Sequence, residues 1–276
     1  MERKQYTPLS REDYEEPCCP FTDPQKVTRI PTERIIDRLD SLLDRDDYAA
    51  AERHLDYWLA EAEHCGDRRG VLTVANEQIG LFRKTEQREK AFAAIETALQ
   101  TAEALGLGDE IIMGTTLVNA ATAFKAFGKA SDAFPLYERA KNIYETLLDP
   151  DDRRLGGLYN NMALTAAELG DHPRARALFS RALDVMKTVP GGEAETAITY
   201  CNLADLAVLE HGAVAAEDEV RCCLDTAMAL LDTPSLPRDG YYAFVCEKCA
   251  PVFGYYGYFL YDDELKKRAE AIHEGT

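Results

Sequence analysis

Apolar residues in this chain recur at spacings of three and four, the period of an amphipathic helix. Tyr159, Met162, Ala163 and Ala166 fall on one stripe; Gly170-Asp171 interrupts it; Ala175, Phe179 and Ala182 form a second stripe. The spacing predicts two helices, each apolar on one side, joined by a turn at the glycine. The same series returns at a fixed distance. Asn119-Ala120-Ala121 matches Asn161-Met162-Ala163, Gly128 matches Gly170, Ala133 matches Ala175 and Tyr137 matches Phe179, each pair 42 residues apart. Tyr200 to Ala204 repeats Tyr159 to Ala163 at a distance of 41, and Ala91, Ile95 and Ala98 stand 42 before Ala133, Tyr137 and Ala140. Ile35, Leu39 and Leu42, followed by Ala51, Leu55 and Trp58, carry the pattern toward the N-terminus, and Gly66, Gly106, Pro150, Pro190 and Pro234 each close a unit.

A single helical hairpin of this kind cannot cover both of its apolar stripes, so the units have to stack. Alanine at the closest positions lets paired helices approach, while larger residues fill the groove of the next unit. The expected organisation is an extended Pro-rich arm over residues 1–31, hairpins over about 32–66, 71–106, 113–150, 155–190 and 196–234, and a looser C-terminal cap over 239–273. The order Ala163, Gly170, Ala175, Phe179, Ala182 resembles the tetratricopeptide repeat (TPR), well over about residues 32–232 and more loosely thereafter. The period departs from the family's usual length of about 34 residues and is similar to that of kinesin-light-chain-like members. The family's first-helix tryptophan is missing; the single tryptophan, Trp58, falls on a second helix. The resemblance implies an all-α, right-handed α-solenoid of about five to six hairpins with a C-terminal capping helix. It also implies a non-catalytic scaffold that binds protein or peptide in the concave groove of its repeats.

Composition narrows the partners. The formal charge of −18, from 49 acidic against 31 basic residues, repels phosphate backbones and anionic lipid heads, so neither nucleic acid nor membrane is expected. No apolar run approaches the roughly 18 residues that a membrane helix needs, and the N-terminal residues read as no secretory signal, so a cytoplasmic location is expected. Eight cysteines in such a chain read as free, packed thiols.

In tetratricopeptide-like hairpins the first helix lines the groove. On that resemblance Asn119, Asn161 and Asn202 occupy one offset in three consecutive units, and their amides suit an extended peptide backbone. Neighbouring groove positions are Asn76, Arg83, Lys84, Thr122, Lys125, Asn160 and Asp205, with Glu33, Asp37, Asp40 and Asp44 in the first unit. The grouped cations suit a ligand carboxylate. Solvated side chains and amides that only cap local backbone remain the alternative. Cys246-Glu247-Lys248-Cys249, with Cys18-Cys19, would supply four thiolates for zinc, but Cys246 and Cys249 fall on an apolar stripe and read as buried thiols; no metal or cofactor is expected. The five histidines are dispersed and no nucleophile, phosphate-loop or dinucleotide motif occurs, which argues against an enzyme. Nine of the 25 aromatics fall in residues 241–261. They read as a cap, or as a surface through which a structural module forms a homodimer.

Overall fold

The computed structural model describes residues 28–275. The expected arm, including Pro17-Cys18-Cys19-Pro20-Phe21, lies outside the described residues. Among those described there are twelve α-helices and no strand. In chain order they are α1 (Thr32–Leu43), α2 (Tyr48–His64), α3 (Arg68–Lys84), α4 (Arg88–Ala104), α5 (Ile111–Ala126), α6 (Ala130–Leu147), α7 (Arg153–Glu168), α8 (His172–Met186), α9 (Glu193–His211), α10 (Glu217–Leu231), α11 (Gly240–Tyr255) and α12 (Phe259–Gly275). None is long and apolar enough to cross a membrane.

Helix ends follow from two residue types. Asp47, Asp67, Asp152, Asp171 and Asp239 sit just before α2, α3, α7, α8 and α11, and the carboxylate of each accepts a backbone N–H of the first turn. Such caps contribute about 1 kcal/mol each. At the other end, Gly66 (φ +68) and Gly170 (φ +80) take the left-handed conformation that closes a helix. The next residue then donates its N–H five positions back, Asp67 to the Ala62 carbonyl at 2.8 Å and Asp171 to the Ala166 carbonyl at 2.9 Å. Glycine stops one helix and aspartate starts the next. Asp46 and Glu86 hold the same positive-φ position without being glycine.

The chain divides into two compact units within α6, between Ile143 and Tyr144. In the first unit α1 packs on α2, α2 on α3, α3 on α4, and α5 on both α3 and α4. The small residues stand where helices meet: Ala51, Ala75, Ala91, Ala98, Ala121 and Ala133 are fully buried, and Leu55, Leu72, Ile79, Leu117 and Tyr137 fill the spaces between. Each large apolar side chain so buried contributes about 1.5–3 kcal/mol. Asp67 is buried as well. One of its oxygens caps α3 and the other accepts the Ile30 N–H at 2.9 Å, fastening the incoming chain to the stack. In the second unit α7 packs on α8, α8 on α9, α9 on α10 and α11, and α11 on α12. Ala163, Ala166, Ala175, Ala182, Ala204 and Ala227 occupy the contacts, with Met162, Phe179, Leu224 and Phe253 between them. Within each unit, then, first helices stand beside first helices, α3 by α5, and α7 by α9 by α11. That is the stacked-hairpin architecture of an all-α solenoid.

One expectation is corrected. Cys65 is disulfide-bonded, whereas Cys201, Cys222, Cys223, Cys246 and Cys249 are free. Periodicity carries no information on pairing, because the small Cys side chain suits a thiol and a bridge alike.

Candidate protein-binding faces of the first helices

In the first unit the face is built by α1, α3 and α5. Asn76 on α3 is half-buried and forms three hydrogen bonds. Its amide nitrogen donates to the Leu72 carbonyl at 3.0 Å and to the Thr116 hydroxyl at 3.1 Å, and its oxygen accepts the Asn119 amide at 3.0 Å. Thr116 and Asn119 lie one turn apart on α5, so one asparagine ties the two first helices together. Thr116 is fully buried and also donates to its own helix at Ile112.

The second unit repeats the device. Asn160 on α7 accepts the Asn202 amide at 3.1 Å and the Thr199 hydroxyl at 3.2 Å, both from α9. Thr199 is again buried and shares its proton with a carbonyl of its own helix, that of Glu195, at 2.9 Å. Threonine three residues before asparagine recurs at Thr116-Asn119 and Thr199-Asn202. This pair was the signal available in the sequence for the two threonines, which spacing arguments about the asparagines alone passed over. Asn161, in register with Asn119 and Asn202 by spacing, is half-buried, and its backbone carbonyl accepts the Thr165 hydroxyl. The partner of Asn202 is the preceding residue, Asn160.

The remaining candidates separate. The Thr122 hydroxyl donates to the Val118 carbonyl at 2.8 Å and lies 2.9 Å from the Tyr137 hydroxyl of α6, so it serves the interior of its hairpin. Lys84 is drawn back over the Tyr48 ring of α2, 5.0 Å from its centroid. Arg83 is exposed and Lys125 half-buried. Asp205 on α9 accepts the Tyr256 hydroxyl at 2.9 Å; burial raises its carboxyl pKa and that hydrogen bond lowers it. On the first unit's face Glu77, beside Asn76, is half-buried. Burial and then the nearby Asp40 raise its pKa, while Asp40 is itself raised by burial, Asp44 and Asp37. The face is therefore polar and amide-rich, with carboxylates gathered toward α1.

Cys246 and Cys249 are buried on α11, burial pushes the Cys246 thiol up to about 12, and no group of three or more metal-ligating side chains occurs among the described residues. Cys18 and Cys19 lie outside them.

The family model described as Tetratricopeptide repeat matches residues 154–228, the span from α7 into α10. No curated protein matches the chain. Among solved structures, BtubC (BKLC) from P. vanneervenii is similar over 90% of this chain and 92% of its own, at 20% identity and a TM-score of 0.51. A Podosopora anserina protein described as a kinesin light chain with nearly identical TPR-like repeats is similar over 73% of this chain and 94% of its own, at 15% identity and a TM-score of 0.52. At those identities the likeness establishes the fold. Tetratricopeptide folds serve in general as repeat scaffolds for protein interactions and are generally non-catalytic. Residues 154–228 thus match the tetratricopeptide-repeat family model, and the chain shares the fold of these solved repeat structures over most of its length.

Proposed function

We propose that the chain is a non-catalytic scaffold that binds an extended polypeptide segment along the first-helix face of its repeats. The ligand backbone pairs with the amide group of Asn119 on the first unit's face or of Asn202 on the second unit's face. The observation that carries this reading is the repeated asparagine pair. In each unit the pair braces neighbouring first helices and still leaves hydrogen-bonding capacity, because the Asn119 and Asn202 side-chain oxygens have no partner among the described residues. A half-buried amide with an unused acceptor suits a backbone N–H of a ligand, and it sets no demand on ligand side chains. The acidic composition and the carboxylates of α1 and α3 favour ligands with basic side chains over acidic ones.

The test is selection of a random linear-peptide library on the immobilised full chain, followed by titration of an enriched peptide against wild type, Asn119→Ala and Asn202→Ala. The expected result is a loss of affinity of about tenfold or more in at least one variant with the thermal melt shifted by only a few degrees. Equal affinity for wild type and both variants would reject the reading.

A further inference from the structure

Exposed apolar side chains are concentrated on the last hairpin: Tyr241, Phe244, Tyr255, Phe259, Leu260 and Tyr261 are all on α11 and α12. Three of them crowd the turn between those helices, where Tyr255 is 78% exposed, Phe259 67% and Leu260 85%. The turn itself is firmly held. Gly257 takes a positive φ of +84, the Tyr258 N–H donates to the Phe253 carbonyl at 2.9 Å, and fully buried Phe253 meets Tyr258 and Tyr261 edge-on at 6.2 and 5.6 Å. Tyr258 and Tyr261 stack on each other. An anchored turn with uncovered apolar residues is a ready docking point, since the ligand need not order it.

Its surroundings are acidic. Tyr258 lies within the electrostatic reach of Glu217, Arg221 and Asp225 on α10. Arg221 is paired with Asp218, and Lys266 with Asp262. Glu217, Asp225 and Asp263 form no ion pair among the described residues, so the rim carries a surplus of carboxylates. Glu217 and Asp225 are eight residues apart on one helix, roughly 12 Å along its axis. Two turns of a partner helix span a similar distance.

We propose that this turn docks a basic amphipathic helix of another polypeptide, its apolar side against Tyr255, Phe259 and Leu260 and its Lys or Arg side chains, two turns apart, against Glu217 and Asp225. The surface is separate from the asparagine face and does not depend on the reading given for it. A second copy of this chain is the poorer occupant, because it would bring a net charge of −18 and the same surplus carboxylates against their like. Nucleic acids and anionic lipids are repelled for the same reason.

The probe is a fluorescent Leu/Lys peptide of about 18 residues, long enough to form a helix on a surface, titrated by anisotropy against the full chain. A peptide of the same composition, scrambled to remove its apolar side, and a Leu/Glu version are the controls. The amphipathic basic peptide is expected to bind at least about tenfold more tightly than either. That preference is expected to disappear in Phe259→Ser/Leu260→Ser and to weaken in Glu217→Gln/Asp225→Asn, with melts near that of wild type because the replaced side chains are exposed. Equal binding of the amphipathic and scrambled peptides would reduce the effect to net charge and overturn the proposal. So would light scattering that shows a wild-type dimer split by Phe259→Ser/Leu260→Ser, which would assign the turn to self-association.

Discussion

If asparagines brace the first helices, their removal has a graded cost that can be worked from the hydrogen bonds. Asn76→Ala removes three: to the Leu72 carbonyl, to the Thr116 hydroxyl and from the Asn119 amide. Thr116 keeps its bond to Ile112 and half-buried Asn119 can turn to water, so neither is left wholly unsatisfied. At about 0.5–1 kcal/mol for each of the three partly exposed bonds, the loss is about 1.5–3 kcal/mol. Asn160→Ala removes two and is expected to cost about 1–2 kcal/mol. Asn119→Ala and Asn202→Ala remove one apiece and should cost about 0.5–1 kcal/mol. Asn161→Ala, whose side chain bonds to nothing among the described residues, serves as the control. Urea unfolding followed by circular dichroism gives the order, and a double-mutant cycle on Asn76 and Asn119 should yield a coupling of about 0.5–1 kcal/mol. A coupling below about 0.3 kcal/mol, or an Asn119→Ala loss exceeding that of Asn76→Ala, would refute the bracing argument.

Gly192 has an ordinary helical backbone, yet a Cβ there would stand 2.3 Å from the Met186 carbonyl oxygen; Gly192→Ala should therefore destabilise by about 2–3 kcal/mol. Gly191→Ala, at a φ of +74, should cost about 1 kcal/mol through strain alone, and melts showing Gly192→Ala no worse than Gly191→Ala would contradict the close-approach account. Glu77 has its carboxyl pKa raised by burial and by Asp40. The folded state thus holds that proton more tightly than the unfolded state, and stability contributed by this group rises as pH falls from neutrality through the raised pKa toward the ordinary 4.5. Glu77→Gln should raise the melting temperature at neutral pH, with a gain that shrinks on acidification; a gain independent of pH would count against it. Among the free thiols Cys222 is exposed while Cys201, Cys223, Cys246 and Cys249 are buried, and burial drives Cys223 to about 11. Timed iodoacetamide labelling with peptide mapping should modify Cys222 well before those four, and comparable early labelling of Cys246 or Cys249 would show that α11 opens readily.

The hairpin series was legible because its punctuation has few physical solutions. Helices that approach closely need alanine at Ala121, Ala163 and Ala204, and a helix that closes in a left-handed turn favours glycine at Gly66 and Gly170. The rotation of each helix was less legible. Spacings of 41 and 42 both satisfy the repeat, and neighbouring residues differ by about 100° around a helix, so periodicity alone could not decide whether Asn160 or Asn161 meets Asn202. Packing of α7 against α9 decides it. Lys84 illustrates the same limit, since the ring it covers, Tyr48, lies 36 residues earlier on another hairpin. Pro135 and Pro251 sit inside α6 and α11, where a local rule would break the helix. There the apolar stripes on either side, Ala133 with Tyr137 and Ala250 with Phe253, outweigh one missing backbone bond.

The two roles suggested for the asparagines divide between the members of each pair. An amide side chain has two donors and two acceptor positions, more than one neighbour can use. Asn76 uses both of its donors and accepts once, so it is mostly consumed by the fold. Asn119 and Asn202 donate once and keep their oxygens free of any partner among the described residues. Stability therefore depends most on the earlier member of a pair and ligand binding, on the proposed reading, on the later one. Aspartate in place of Asn119 makes the distinction sharp: it retains an acceptor facing the ligand but removes the donor to Asn76, leaving two oxygens opposed across α3 and α5. A scaffold with amide pairs can thus hold its own helices in register and offer hydrogen bonds outward from the same side chains, which an ionised carboxylate, having no donor, would not do.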